Sequence, residues 1–197
     1  METNSEILAK KLTYTKAYRS TRLEAAHWVI SHPATLPELL NYCLKNKDEI
    51  SYRAAWVLEF VCLKRVDLLI PHLEQFFNIL PKIERDQAIR PFSKMCMIFA
   101  THYYKKKDTA IIKALNNTYK NTMIEGCFDW LISDQKVAAE AYAMETLYLL
   151  GTEIDWIHSE LKIIIEQYIN TKTAAYKARG KITIDKIKKY RLKNLKA

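Results

Sequence analysis

The chain has 197 residues, of which 49% are hydrophobic, and its formal net charge is +9. This length and apolar content are enough for a buried core, and only 3 Gly and 5 Pro are too few for the frequent turns of an all-β domain. No segment approaches the roughly 20 apolar residues of a membrane-spanning helix, and the N-terminus lacks the apolar core of a signal peptide. We therefore expect a soluble, cytoplasmic, all-α protein.

The hydrophobic pattern predicts five pairs of helices along the chain. The pairs are Ser5–Ala17 with Ser20–Ser31, Leu36–Lys45 with Ile50–Arg65, Leu68–Leu80 with Asp86–Tyr104, Thr118–Ile132 with Asp134–Leu150, and Trp156–Asn170 with Thr173–Lys189. Pro37 and Pro71 fall in the first turn of their predicted helices, where the missing N–H costs little. Thr35 and Glu38 have the spacing of a capping box. The segment Tyr104–Asn121 predicts an insertion, as a loop or a short extra helix.

Four short segments of the chain can be superposed without gaps. They are "AHWVIS" from Ala26, "AAWVLE" from Ala54, "IRPFSK" from Ile89 and "EAYAME" from Glu140, and their starts are 28, 35 and 51 residues apart. Their sixth positions are Ser31, Glu59, Lys94 and Glu145. Such a repeat predicts that the second helices of successive pairs lie side by side, so that these four residues form a row with Lys94 between two acids.

Glu59 is the one charged residue in the ten-residue segment Ala54–Leu63, whose other nine residues are apolar. An unpaired buried carboxylate costs several kcal/mol, so a partner is expected. We predict a partly buried Glu59–Lys94 ion pair, with Arg90 as the competing partner. This pair either only fixes the register of neighbouring repeats or also contacts a ligand. The candidate binding residues of this surface are Tyr52, Trp56, Glu59, Arg90, Lys94, Tyr142 and Glu145.

The helix-pair segments carry a resemblance to a known type of repeat. "LPELLNYCL" followed by "SYRAAWVLEFV" resembles a HEAT repeat. More closely, "YRAAWVLEFV", "IRPFSKM" and "FDWLISDQKVAAEAYAMETLYLLG" resemble a family of short HEAT-like proteins of the Bacteroidetes, over roughly Arg19 to Ala178. The resemblance implies a right-handed α-α superhelix, an armadillo-like solenoid of about five helical pairs over residues 1–179. We therefore expect a non-enzymatic scaffold that presents a concave helical surface to a protein or peptide partner.

Members of the family that the chain resembles sometimes carry an adenylosuccinate lyase label. Lyases of that superfamily need a mobile Gly-Ser-Ser loop that holds the catalytic serine. The glycines of this chain stand in Gly126-Cys127, Gly151-Thr152 and Gly180-Lys181, and none fits. Lyase activity is therefore not expected.

Nucleic-acid binding is the second hypothesis, because the positive charge is concentrated at the C-terminus. Ten of the 31 Lys and Arg but only one of the 22 Asp and Glu follow Thr171, so the preceding part carries 21 of each. Residues 180–197 are predicted to form a basic extension, helical or partly disordered, that Gly180 separates from the preceding helix. The extension either binds phosphates or is merely solvated. The candidate residues are Lys181, Lys186, Lys188, Lys189, Arg191 and Lys193.

Catalysis is the third hypothesis. DNA-alkylation glycosylases built on HEAT-like superhelices place Trp, Asp and Arg on the concave face, and the residues of those types here are Arg53, Trp56, Asp129 and Trp130. Among the cysteines there is no metal or disulfide pattern, and we expect core thiols at Cys43, Cys62, Cys96 and Cys127. We predict no catalytic residue, no cofactor, no metal and no membrane contact. The sequence leaves the ligand and the oligomeric state open.

Overall fold

The computed structural model describes residues 2–16, 18–45 and 48–195, apart from the side chain of Tyr14. Within these ranges the chain forms α-helices and no strand, as predicted. The α-helices are α1 (Asn4–Tyr14), α2 (Arg19–Ser31), α3 (Leu36–Cys43), α4 (Glu49–Lys64), α5 (Leu73–Ile79), α6 (Asp86–Ala100), α7 (Thr109–Ala114), α8 (Asn117–Ile132), α9 (Val137–Leu150), α10 (Asp155–Tyr168) and α11 (Ala174–Asn194). Short 3-10 helices span Pro33–Thr35, Val66–His72 and Leu80–Lys82, and a π-helix spans Thr101–Lys105.

The predicted helices are present with shifted ends. The first was expected to end at Ala17, which lies outside the described residues. The helix expected over Leu68–Leu80 is shortened, because the chain is 3-10 helical over Val66–His72 and becomes α-helical only at Leu73. Pro71 lies inside that 3-10 segment. Its backbone nitrogen has no hydrogen to donate to an α-helical hydrogen bond.

The helices pack in two layers. In the first layer α3 contacts α5, α5 contacts α8, and α8 contacts α10. In the second layer α2 contacts α4, α4 contacts α6, α6 contacts α9, and α9 contacts α11. We call α2, α4, α6, α9 and α11 the second helices. Each second helix contacts the next one along the chain. The superposed segments predicted these neighbours.

The core between the layers is apolar and rich in aromatic rings. Phe76 of α5 stacks on Phe92 of α6 with ring centroids 5.2 Å apart, and it forms a T-shaped pair with Phe99 with centroids 5.3 Å apart. Ser93, which is fully buried on α6, donates a 2.7 Å hydrogen bond to the carbonyl oxygen of Ala139 on α9. The four cysteines are buried free thiols, and burial raises the pKa of Cys43 well above its usual range. The four thiols are therefore core residues, as predicted.

The segment between α6 and α8 forms an extra helix. The π-helix Thr101–Lys105 is followed by Lys107, whose φ of 54° lies in the left-handed region. Asp108 then caps α7 by accepting hydrogen bonds from the amides of Ala110 and Ile111. Of the two alternatives for this insertion, the short helix is the one that forms.

Two local predictions are wrong. Thr35 forms no capping box with Glu38: its hydroxyl donates to the carbonyl oxygen of His32, and Glu38 instead accepts a hydrogen bond from Ser5. Gly180 does not break the helix, because α11 runs through it. A Cβ at Gly180 would lie 2.7 Å from Cγ2 of Ile165, so this glycine permits α10 and α11 to approach closely.

None of the helices in the described ranges combines the length and apolarity needed to cross a membrane.

The contact of α9, α10 and α11 encloses a histidine. His158 is 2% exposed, stacks on Tyr148 and has its Nε2 2.8 Å from the Tyr148 carbonyl oxygen, to which the neutral ring donates. Burial lowers the pKa of His158 below its ordinary value of 6.5. The Tyr148 carbonyl and Asp155 act in the opposite direction, and Arg191 acts in the same direction as burial.

We expect the free energy of unfolding to fall as the pH drops through 6.5, because the unfolded chain then binds a proton that folded His158 binds less readily. Urea denaturation between about pH 7.5 and about pH 5.5 measures this dependence. It should be weaker in His158→Gln than in the wild type. Equal pH dependence in wild type and His158→Gln would show that His158 does not contribute.

Candidate binding surface

The Glu59 carboxylate joins α4 to α6. It is 2% exposed, its Oε1 accepts from Lys94 Nζ at 2.8 Å, and its Oε2 accepts from Arg90 Nη2 at 2.6 Å. The predicted Glu59–Lys94 pair is therefore confirmed. The expected competition is wrong, because Arg90 and Lys94 lie one turn apart on α6 and each binds a different carboxylate oxygen. Both partners keep part of their side chain exposed, 27% for Arg90 and 20% for Lys94.

The aromatic residues Tyr52 and Trp56 lie beside this ion-pair group on α4. Their ring centroids are 4.8 Å apart, and Trp56 Nε1 donates a 3.1 Å hydrogen bond to the carbonyl oxygen of Gln87 at the start of α6. The guanidinium of Arg85 lies 5.8 Å from the centroid of Tyr52. Tyr52 and Trp56 are therefore half-buried and hold α4 against α6, as well as facing the surface.

The predicted row of sixth positions divides into two parts. Lys94 extends from Glu59 to the ring of Tyr142 on α9, with Nζ 5.8 Å from the centroid, but it forms no ion pair with Glu145. Glu145 binds Lys105 at 2.7 Å and Lys186 at 2.5 Å instead. Lys94 was predicted to lie between Glu59 and Glu145. The contact with Glu59 forms, and the prediction of a contact with Glu145 is wrong.

Ser31, the first residue of the predicted row, donates to the carbonyl oxygen of His27 within its own helix. The two lysines that bind Glu145 belong to segments that the superposition did not include. Lys105 belongs to the π-helix after α6, and Lys186 belongs to α11. Burial alone would raise the pKa of Glu145, but the hydrogen bonds from these two lysines lower it below its usual value.

Residues 180–194 of the predicted basic extension are part of α11, which packs on α9 and α10. Residues 196 and 197 of the extension lie outside the described residues. Lys186 holds Glu145, and Arg191 donates a 2.8 Å hydrogen bond to Ser159 of α10. Tyr190 donates to the carbonyl oxygen of Thr152 at 2.7 Å. The remaining candidates of the extension are exposed, namely Lys181, Lys188, Lys189 and Lys193.

Two arginines on α2 were not predicted. The Arg22 Cζ lies 5.5 Å from the ring centroids of both Trp56 and Phe60, and the Arg19 Cζ lies 5.4 Å from that of Phe60. Burial lowers the pKa of Arg22, and the positive charge of Arg90 lowers it further. A sequence signal existed: both residues lie one turn apart at the start of α2, the helix that the superposition places next to α4.

The contacts of these side chains join neighbouring second helices, and we call the set of residues the second-helix surface. It comprises Arg19, Arg22, Tyr52, Trp56, Glu59, Arg90, Lys94, Tyr142, Glu145 and Lys186.

The residue types expected of a glycosylase do not converge on this surface. Asp129 and Trp130 lie on α8, in the first layer, and Trp130 is buried in the core. Arg53 is bound to Glu49 of its own helix and to the carbonyl oxygen of Thr13. Only Trp56 of that set lies on the second-helix surface.

A separate open groove of about 470 Å³ lies between the start of α10 and the end of α11. Its lining includes Trp156, Ser159 and Arg191. Trp156 is 55% exposed and stacks on Phe128 of α8. In the described part of the chain, no three His, Cys, Asp or Glu side chains come together in a set that could hold a metal ion.

Comparisons with protein-family models, with curated proteins and with solved structures find no match to this chain.

Proposed function

We propose that this chain is a HEAT-like α-solenoid that acts as a binding scaffold and presents the second-helix surface to a protein or peptide partner. The observation that carries the proposal is the contact of α2, α4, α6, α9 and α11 in chain order, since stacked repeats create an extended surface of this kind. The half-buried side chains of that surface offer hydrogen-bond donors beside aromatic rings, which is a composition typical of recognition surfaces.

The aromatic rings of this surface favour a polypeptide over a nucleic acid. A nucleobase binds by stacking on an uncovered ring. Here Arg22 and Tyr52 lie against Trp56, Arg85 lies over Tyr52, and Lys94 lies over Tyr142. The rings therefore orient cations and do not present open faces on which a nucleobase could stack.

Photo-crosslinking tests the proposal. Benzoylphenylalanine replaces Tyr142 on the second-helix surface in one variant and Ile163, 57% exposed on α10 in the first layer, in a matched control. In extracts of the native source treated with nuclease, we expect a discrete protein adduct from position 142 and none from position 163. Adducts only from position 163, or adducts that nuclease removes, would contradict the proposal.

A second candidate function is nucleic-acid binding through α11. The observation that favours it is the set of exposed lysines on one helix, Lys181, Lys188, Lys189 and Lys193. Lys186 is already paired with Glu145 and is not counted with them. The four exposed lysines therefore limit the electrostatic contribution of α11 to the binding of phosphates. Four phosphate contacts would give a slope of log K against log salt of about −3.6 on duplex DNA.

A further inference from the structure

Arg19 and Arg22 are held in place on α2 without a carboxylate partner among the described residues. Both guanidinium groups lie over Phe60, and Arg22 also lies over Trp56. The Nε of Arg22 donates a long hydrogen bond of 3.4 Å to the Tyr18 carbonyl oxygen. Guanidinium groups that stack on rings keep the N–H groups at their edges available.

The charges around this pair are unbalanced. The carboxylate of Glu59 raises the pKa of Arg22, whereas the like charges of Arg90 and Arg19 lower it. That carboxylate is already occupied by Arg90 and Lys94. Four cations therefore share one anion in this part of the second-helix surface, and an added anion would relieve their repulsion.

The proposed function supplies the context for a more specific assignment, which rests on it. We propose that Arg19, Arg22 and Arg90 form a subsite for a carboxylate, and that the partner segment brings an Asp or Glu side chain to it. Arginine binds carboxylates through paired N–H donors. The neighbouring Glu59 is bound by one N–H donor from each of two cations, with Arg90 on one oxygen and Lys94 on the other. A second acid would thus be bound beside Glu59 by the cations that Glu59 leaves unneutralised.

Fluorescence anisotropy with defined probes tests the subsite. The probes are a labelled hexaglutamate peptide, a matched hexaglutamine peptide and a single-stranded thymidine hexamer. We expect the glutamate peptide to bind at least about tenfold more tightly than the glutamine peptide, since charge-assisted hydrogen bonds distinguish them. Arg19→Gln/Arg22→Gln should lose about tenfold or more of the glutamate affinity.

The matched control is Arg179→Gln/Lys181→Gln, which removes the same charge from exposed positions of α11. It should change the glutamate affinity by less than about threefold, because those charges are distant and screened. Arg22→Lys keeps the charge but loses the paired donors, and it should bind more weakly than wild type. Circular dichroism confirms that each variant is folded.

Equal glutamate affinity in wild type and Arg19→Gln/Arg22→Gln would overturn the subsite. So would tighter binding of the thymidine hexamer with the same dependence on these arginines, which would assign the site to nucleic acid. If the glutamate peptide does not bind while the adduct at position 142 persists, only the carboxylate subsite is wrong. If both are absent, the scaffold function is wrong as well.

Discussion

Replacing Arg90 and Lys94 together by methionine is expected to lower the free energy of unfolding by about 3–5 kcal/mol, because the buried Glu59 carboxylate then has no partner. Adding Glu59→Leu to this variant should recover much of the loss, since an apolar group of similar size no longer needs a partner. Each single cation substitution should cost less, because the other cation still binds Glu59. Urea denaturation of the wild type, Glu59→Leu, the two single cation variants, the Arg90/Lys94 double variant and the triple variant measures the coupling.

The surface pair Lys162–Glu166 is the matched control for this cycle. Its ions are 3.7 Å apart and are 40% and 53% exposed, so its coupling should stay below about 0.5 kcal/mol. If the losses from Glu59→Leu and from the Arg90/Lys94 variant are simply additive, the three charges do not act together. The packing of α4 against α6 would then rest on the apolar contacts and on the Trp56 hydrogen bond.

Removing residues 180–197 is expected to destabilise the whole protein. The cut after Arg179 deletes Ile184 and Ile187, which are buried against the preceding helices, and it also deletes Lys186, a partner of Glu145. Burial of two isoleucines contributes about 3–6 kcal/mol, a large part of the stability of a typical domain. We expect a clear drop in the urea midpoint and faster hydrogen exchange in α9 and α10.

Neutralising the exposed charge of α11 separates this structural role from nucleic-acid binding. In the variant with Lys181, Lys188, Lys189 and Lys193 all changed to glutamine, stability should change by no more than about 0.5 kcal/mol. Any salt-dependent binding of duplex DNA through α11 should largely disappear. A truncated protein as stable as the wild type would show instead that residues 180–197 are an independent extension.

The positions of the helix pairs were predictable because helix periodicity and proline placement are local properties of the sequence. The Glu59–Lys94 pair was predictable for a related reason. A carboxylate in an apolar helix needs a partner, and the superposed segments indicated which residue of the next second helix is nearest. The same reasoning failed at Glu145, because its partners come from the π-helix and from α11, which the superposition did not cover.

Contacts between helices set the features that the sequence did not reveal. Gly180 is a poor helix former, which predicted a break, but the close approach of Ile165 on α10 makes a glycine favourable inside α11. The role of Arg19 and Arg22 depends on Trp56 and Phe60 of another helix, so charge and composition alone could not identify it.

Hydrogen exchange of the protein with and without the partner captured at position 142 tests most directly whether the second helices form the binding surface. We expect binding to slow exchange in α4, α6 and α9, around Trp56, Arg90 and Tyr142, and to leave α8 and α10 unchanged. Slowed exchange confined to the first layer or to the exposed end of α11, with α4 and α6 unaffected, would contradict the proposed surface.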